Sequence, residues 1–540
     1  MRIENARRIT GRHLLLARPG AAAEVVLDPD DPADALASYL DRVASVLAAV
    51  GLPAAVLVRR WEGPAALRGA SVAVELPEDA LLAGAEALER AAASAGGDTI
   101  DAVRWYLRLD PALVDALAWA AARGLPAFHD DDGFTLGMGR FARTWRDAPS
   151  VEALAACDAR AIPFVYVTGT NGKTTTARWL TRMLRAGGYE AGQTSSDGVV
   201  IGDRWIDRGD CTGPGGARLL LRDPAVDAAV VEVARGGLLR RGLVLDAADV
   251  AIVTNVGEDH LGEWGIFDAA GMAEVKFVVA DALREGGVLV ANANCATSVA
   301  EVARVVARRP DLRVRWVGRD ARVEREWLWL GDAPLVAVAD VPMALGGLAA
   351  YNLENALAAA LAAAALGVSD AAIAAAIREF RPDPRDNPGR TNLFSVGAAT
   401  VLLDFAHNPE AMAALARFAA RWPPGRRTVV VGLAGDRTDA LVRTFAREIA
   451  PIAPDRVVLK ELPKYRRGRP PGEVRAMLRE ELEASGVAPA AIVDIEDEDD
   501  AVRATLSALV AGELLILCVH EDAPAAVQRV LDTPPVGPVS

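Results

Sequence analysis

Paired cysteines are missing from this chain. Cys157, Cys211, Cys295 and Cys518 lie far apart and none falls in a CxxC pair. That excludes a disulfide framework and a zinc knuckle, and it fits a reducing, cytoplasmic setting. No stretch of 18 apolar residues occurs. The Ala-rich run at 356–366 comes nearest, but Asn352, Glu354 and Asn355 precede it, so it reads as a buried helix and no membrane association is expected. The first twenty residues lack the long apolar core and cleavage pattern of a secretion signal. Basic charge is not in excess either: 59 Lys and Arg against 73 Asp and Glu leave a net charge of −14. A general nucleic-acid binder is therefore excluded, although a small basic pocket for phosphates is not.

What is present is ample. The chain has 540 residues, 52% of them hydrophobic, enough for several cores. Residues 1–150 mix apolar runs such as 54–58 with Ala/Leu helices at 33–50 and 79–95, and read as a smaller α+β domain. His129, followed by Asp130, Asp131 and Asp132, offers metal-ligand chemistry. The same residues also fit a solvated turn before Gly133, and metal ligands normally converge from several elements. Residues 151–384 alternate β-branched runs at 162–168, 227–233, 249–256 and 287–291 with helical patterns, including 352–366 and 370–379. Near-continuous apolar strands between helices imply a doubly wound parallel sheet covered on both faces. The Pro-rich segment 381–390 reads as a linker. Residues 385–540 repeat the pattern, with strands expected at 400–405, 427–432, 455–459 and 513–519, as a second, Rossmann-like α/β domain.

The strongest local signal is Gly169-Thr170-Asn171-Gly172-Lys173-Thr174-Thr175, between the strand 162–168 and a helical pattern. Glycines let backbone amides approach phosphate oxygens, and a helix N-terminus favours anions. Lys173 would neutralise the β- and γ-phosphates and the Thr174 hydroxyl would reach Mg²⁺. Counted from Gly169 the loop is shorter than the generic GxxxxGK[ST] pattern. Glu232 ends the strand 227–233, and His260 lies just beyond 249–256. Both are expected at the carboxyl edge of the sheet, where ligands bind in such folds. Glu232 is a natural ligand for a hard cation.

The segment TGTNGKTTT resembles the ATP loop of the Mur ligase family. The run 209–265, with GDCTGPGGA, VEVARGGLLRRGL and TNVGEDHLG, resembles the cyanophycin synthetase branch of that family. So do NPGRTNLF (387–394), LLDFAHNP (402–409), GDR (435–437) and RRGRPPGEV (466–474). The resemblance runs in order from about 160 to 530.

It implies an ADP-forming ligase that activates a carboxylate as an acyl phosphate and joins it to the amine of an amino acid, with arginine or lysine suggested by analogy. ATP and Mg²⁺ are the implied cofactors. Carried over residue by residue, it makes Glu232 and His260 magnesium ligands beside Thr174. It makes Lys276 a catalytic position, which some relatives carry carbamylated. Asn352, Asn355, Arg390, Asp404 and His407 become nucleotide contacts, with Arg390 stabilising transferring phosphate. Ser195, Ser196, Thr212, Gly213 and Asn408 become substrate-loop residues. On the residues alone, Lys276 also fits a solvated helix lysine, and Asn352 and Asn355, three apart on one helix face, could equally cross-link helices. The acidic run Glu496–Asp500 could hold a cationic amino acid, and also fits a helix start favoured by the dipole.

Two departures from that branch stand out. Residues 133–145 resemble the stretch that precedes the branch's ATP-grasp domain, but the sequence passes almost directly to the phosphate loop. Asn292-Ala293-Asn294-Cys295 stands where relatives show an Asn-Ala-Asp-Asp-like run. Such a chain is expected to add an amino acid to an existing carboxylate, alone, as a homo-oligomer, or beside a separate ATP-grasp enzyme. A folylpolyglutamate-type or poly-γ-glutamate-type ligase is the alternative within the enzyme class. A non-catalytic ATP-binding partner subunit is the alternative outside it.

Overall fold

The computed structural model describes residues 1–537. They form two compact units, one of residues 1–256, 262–320 and 358–373, the other of 257–261, 321–357 and 374–537. No described helix is long and apolar enough to cross a membrane.

The first unit is built on a parallel sheet. Its parallel strands run in spatial order Ala191–Ser195, Ala228–Glu232, Phe164–Thr168, Ala248–Val253, Leu283–Asn292 and Arg313–Val317. An antiparallel ribbon, Gly198–Ile201 and Arg204–Arg208, extends one edge. Phe164–Thr168 and Ala228–Glu232 are buried at every residue. Strands covered on both faces must be apolar throughout, which is why they were readable as unbroken runs. Both lie within two residues of the expected 162–168 and 227–233, whereas Ala248–Val253 stops three residues before the expected 256 and Leu283–Asn292 starts four residues before the expected 287.

A four-stranded antiparallel sheet, ordered Arg2–Ile9, Gly20–Leu27, Arg68–Glu75 and Val56–Glu62, precedes it and carries the helices Ala35–Ala49 and Leu81–Arg90. It is tied to the parallel-sheet layer by hydrogen bonds from Arg7 Nε to Leu239 O (2.7 Å) and from Thr10 N to Arg241 O (2.7 Å). The Arg12–Asp246 pair (2.8 Å) adds to them. His129 lies in the strand Ala127–Asp130, and the turn follows it. Arg222 pairs with Asp130 at 2.6 Å and with Asp132 at 3.2 Å, so a guanidinium takes the place that the metal reading gave to a cation.

The second unit contains the C-terminal sheet. Ala399–Asp404, Leu514–Cys518, Arg427–Val431, Arg456–Lys460 and Ile492–Ile495 are parallel in that order, with Asn392–Val396 antiparallel at the edge. Helices such as Pro409–Arg421, Asp439–Ile449 and Glu473–Ala484 pack an apolar face on it around Phe418, Phe445 and Leu478. The chain is thus an α/β protein with two doubly wound sheets and a smaller α+β N-terminal part.

Candidate active site

The helix Lys173–Ala186 starts at Gly172, which adopts φ 82° and offers no side-chain cap. A glycine-led helix N-terminus lets a backbone approach an anion closely, the usual design of an anion site. Gly169 has φ 150°, and a Cβ there would lie 1.9 Å from Thr254 Oγ1. Thr254 and Asn255, which follow the strand Ala248–Val253, close the loop from behind. Asn255 O accepts from Thr170 N at 2.9 Å, and Asn255 Oδ1 accepts from Asn171 N at 2.9 Å. Thr254 Oγ1 donates to Asn171 O at 2.6 Å. A Gly169→Ala exchange is expected to destabilise the first unit by about 2–4 kcal/mol and to abolish the stabilisation conferred by ADP. Calorimetry with and without ADP measures both.

Lys173 Nζ donates to Thr170 O at 3.0 Å, folding the ammonium back over its own loop. The next residue points to the sheet: Thr174 Oγ1 donates to Glu232 Oε2 at 2.9 Å and lies 3.3 Å from Ser196 Oγ. Glu232 is 1% exposed at the end of its strand. Two hydroxyls and a carboxylate thus converge at a helix N-terminus, an all-oxygen set of the kind hard cations prefer. Ser195 is used differently. Its Oγ accepts from Asp197 N (3.2 Å) and donates to Gly198 O (3.4 Å), so it holds the turn that presents Ser196.

Thr212 Oγ1 donates to Asp210 Oδ1 at 2.6 Å, and Gly213 opens the helix Pro214–Arg222. Gly237 is pressed against this loop, and a Cβ there would meet Thr212 O at 2.9 Å. The two glycine motifs, 209–217 and 234–237, are therefore one structure. Lys276 is buried at the end of the helix Ala269–Lys276, and its Nζ donates to Gly169 O at 2.8 Å. It is not a solvated helix lysine. Cys295, at the divergent position, accepts from Val256 N and donates to Val256 O, both at 3.4 Å.

In the second unit, Asn352 Nδ2 donates to Met343 O at 3.0 Å, and Asn355 Nδ2 to Asn352 Oδ1 at 3.2 Å. Asp404 Oδ2 accepts from Thr391 N (2.8 Å) and Oγ1 (3.1 Å), while burial pushes its carboxyl above the ordinary value. The Arg390 guanidinium lies 4.7 Å over the Phe405 ring. His407 Nδ1 donates to Phe405 O at 2.9 Å, and its Nε2 lies 3.4 Å from Asp259. Asn408 caps the helix Pro409–Arg421 through Ala411 N.

His260 sits here too, with φ 52°. Its Nδ1 is 3.0 Å from Asp436 Oδ2. Arg437 faces both ring nitrogens, with Nη1 3.1 Å from Nδ1 and Nη2 3.2 Å from Nε2. Arg437 Nε lies 3.0 Å from Asp259 Oδ1. Burial opposes ionisation of Asp259, but Arg437, His260 and His407 hold its carboxyl well below the usual range. Asp259, His260 and His407 are close enough together to share a cation. Arg437 already supplies that charge.

Several of these roles were not visible in the sequence reading: Thr254 and Asn255 behind the loop, and Arg437 on His260. One signal was available. Lysine occurs only at positions 173, 276, 460 and 464, although Lys and Arg together number 59. Where arginine is the default cation, a retained lysine marks a place that needs a compact point charge.

Comparison with known proteins agrees with this geometry. The family descriptions "Mur ligase middle domain" and "Mur ligase, glutamate ligase domain" match residues 167–363 and 389–519. Cyanophycin synthetase of Crocosphaera subtropica is 37% identical over 371 residues, covering 66% of this chain and 42% of its own length. The Synechocystis enzyme is 36% identical over 398 residues, covering 70% and 44%. The chain thus spans less than half the length of these relatives. In structure it is similar to E. coli FolC in complex with DHPP and ADP, with a TM-score of 0.52, 22% identity and 69% and 89% of the two chains covered. Mycobacterium tuberculosis folylpolyglutamate synthase gives 0.51 and 20%, over 68% and 91%. With both domain types in order along the sequence, the phosphate loop in the first and a second α/β sheet in the other, the chain belongs to the Mur ligase family.

Proposed function

We propose that this chain is an ATP-dependent carboxylate–amine ligase. It activates a carboxylate as an acyl phosphate and passes the acyl group to the amine of an amino acid, releasing ADP and phosphate. The observation that carries this reading is the convergence of Thr174, Ser196 and Glu232 at the helix N-terminus behind Gly169, with the Lys173 ammonium over the same loop.

The loop amides and Lys173 hold the β- and γ-phosphates and offset the charge that develops there. A substrate carboxylate oxygen attacks the γ-phosphorus, and the bond to ADP breaks. The amine nitrogen then attacks the acyl carbon, phosphate leaves, and the amine loses a proton. Magnesium fits the oxygen donors, and Thr174 and Glu232 would hold it, neutralising phosphate charge. We keep His260 out of this donor set, because the Arg437 guanidinium faces both its ring nitrogens. Thr212 and Gly213 approach the acyl substrate. Lys276 tensions the loop through Gly169 O as an ammonium. Arg390, Asp404, His407, Asn352 and Asn355 are nucleotide contacts by resemblance, and 1–150, 151–384 and 385–540 are the working domains. The carboxylate arrives preformed, by its own synthesis or from a separate ATP-grasp enzyme.

Phosphate release is measured from ATP and Mg²⁺ over a matrix of amino acids with β-aspartyl peptides, γ-glutamyl peptides and folate, with mass spectrometry of the products. The expected result is release that requires one carboxylate–amine pair and yields its amide. Turnover independent of any pair, with tight binding of an ATP-grasp protein, would replace the ligase with a partner subunit. Folate-dependent release would select the folylpolyglutamate type.

A further inference from the structure

Lys460, at the end of the strand Arg456–Lys460, has no exposed side-chain surface. Its ammonium is bonded to the Glu498 carboxylate and lies 3.0 Å from His520 Nδ1. Glu498 also accepts from three backbone amides, His520 N at 2.9 Å, Glu521 N at 2.9 Å and Asp522 N at 3.2 Å. One carboxylate therefore fixes the whole loop after the strand Leu514–Cys518.

An ammonium only donates, so His520 Nδ1 accepts and Nε2 carries the proton. Nε2 then donates to Ala406 O at 3.1 Å. Burial, and next the Lys460 charge, hold His520 well below its ordinary pKa, so the ring stays neutral in this tautomer. Burial pushes the Glu498 carboxyl up, but Lys460 and the loop amides bring it below its usual value.

The receiving segment is the one that follows Asp404. Phe405 stands edge-on to His520 (5.2 Å) and to His407 (5.0 Å), and its ring also carries the Arg390 guanidinium. Burying three ionisable groups is costly, and replacing them with apolar side chains would often be neutral or stabilising. A device that retains them at the edge of a sheet next to Arg390, Asp404 and His407 is explained by what it orients.

We propose that Lys460, Glu498 and His520 form a positioning triad that sets residues 405–408, and through Phe405 the Arg390 guanidinium, for the nucleotide. The proposal rests on the reading of Arg390 as a nucleotide contact.

The test uses the full chain and binding of MgADP by calorimetry, which needs no knowledge of the acceptor. His520→Phe keeps the ring contact and removes both hydrogen bonds. It is expected to weaken MgADP about ten-fold. His520→Gln, with an acceptor and a donor on one side chain, is expected to regain most of that. Arg390→Ala is expected to weaken binding alone, and to add little in the His520→Phe background, since both act through one guanidinium. Full additivity of the two, or a lowered melting temperature with MgADP affinity unchanged in His520→Phe, would overturn the triad. Should His520→Phe not fold, Lys460→Met combined with Glu498→Gln replaces it, with the same criteria. Gly169→Ala separates the two ideas: if it leaves MgADP affinity intact, the nucleotide-site reading itself fails, whatever His520 does.

Discussion

Replacing Lys173 with alanine is expected to lower pair-dependent phosphate release by about a thousand-fold, with the fold retained. The ammonium lies on the Thr170 carbonyl, 3.0 Å away, and needs only a side-chain rotation to meet a phosphate held by the loop. In the transfer step the charge spreads over the phosphoryl oxygens. A fixed cation there acts on the transition state more than on bound ATP, so kcat falls further than KM rises. Lys173→Arg is expected to recover little, because a planar fork does not fit a loop shaped around a point charge. Steady-state phosphate release, with MgADP binding as a control, separates the two parameters. A loss confined to KM would mean that Lys173 only binds.

Replacing Glu232 with glutamine has the second largest expected effect: about a hundred-fold in kcat, with the Mg²⁺ concentration for half-maximal rate raised at least about ten-fold. The geometry is nearly isosteric, and the amide can still accept from Thr174. Only the charge is removed. A carboxylate that is 1% exposed costs desolvation energy in the absence of a cation. The same exchange is therefore expected to leave the melting temperature of the metal-free protein unchanged or higher. Mg²⁺ titration of the rate, set beside calorimetry in a chelator, reads both. A stability loss matching the activity loss would make Glu232 structural.

Much of this is legible in the amino-acid sequence alone, and the reasons are local. Strands buried on both faces are apolar throughout, so 227–233 announced Ala228–Glu232 and 513–519 announced Leu514–Cys518. The phosphate loop was readable because its glycines, lysine and threonine are adjacent in sequence. Asn255 was not, because its partners Thr170 and Asn171 lie more than eighty residues earlier. Lys276 meets Gly169 across 107 residues. The acidic run Glu496–Asp500 shows the limit most clearly. Asp497 caps the helix Glu498–Ser507 and Asp499 pairs with Arg503, as a helix start would have them. Glu498 instead turns inward to Lys460, 38 residues away. No periodicity distinguishes that carboxylate from its neighbours. His260 is similar. Its motif marked it, but only the fold shows that Asp436 and Arg437 hold both ring nitrogens.

The central claim is that a carboxylate oxygen attacks the γ-phosphorus of ATP. It is tested most directly by isotope transfer. The carboxylate that supports turnover is labelled with ¹⁸O in both oxygens, and the released phosphate is analysed by mass spectrometry or ³¹P NMR. The account predicts one ¹⁸O in each phosphate formed with the amide, and one left in the amide carbonyl. Unlabelled phosphate, or AMP and pyrophosphate in place of ADP and phosphate, would contradict it.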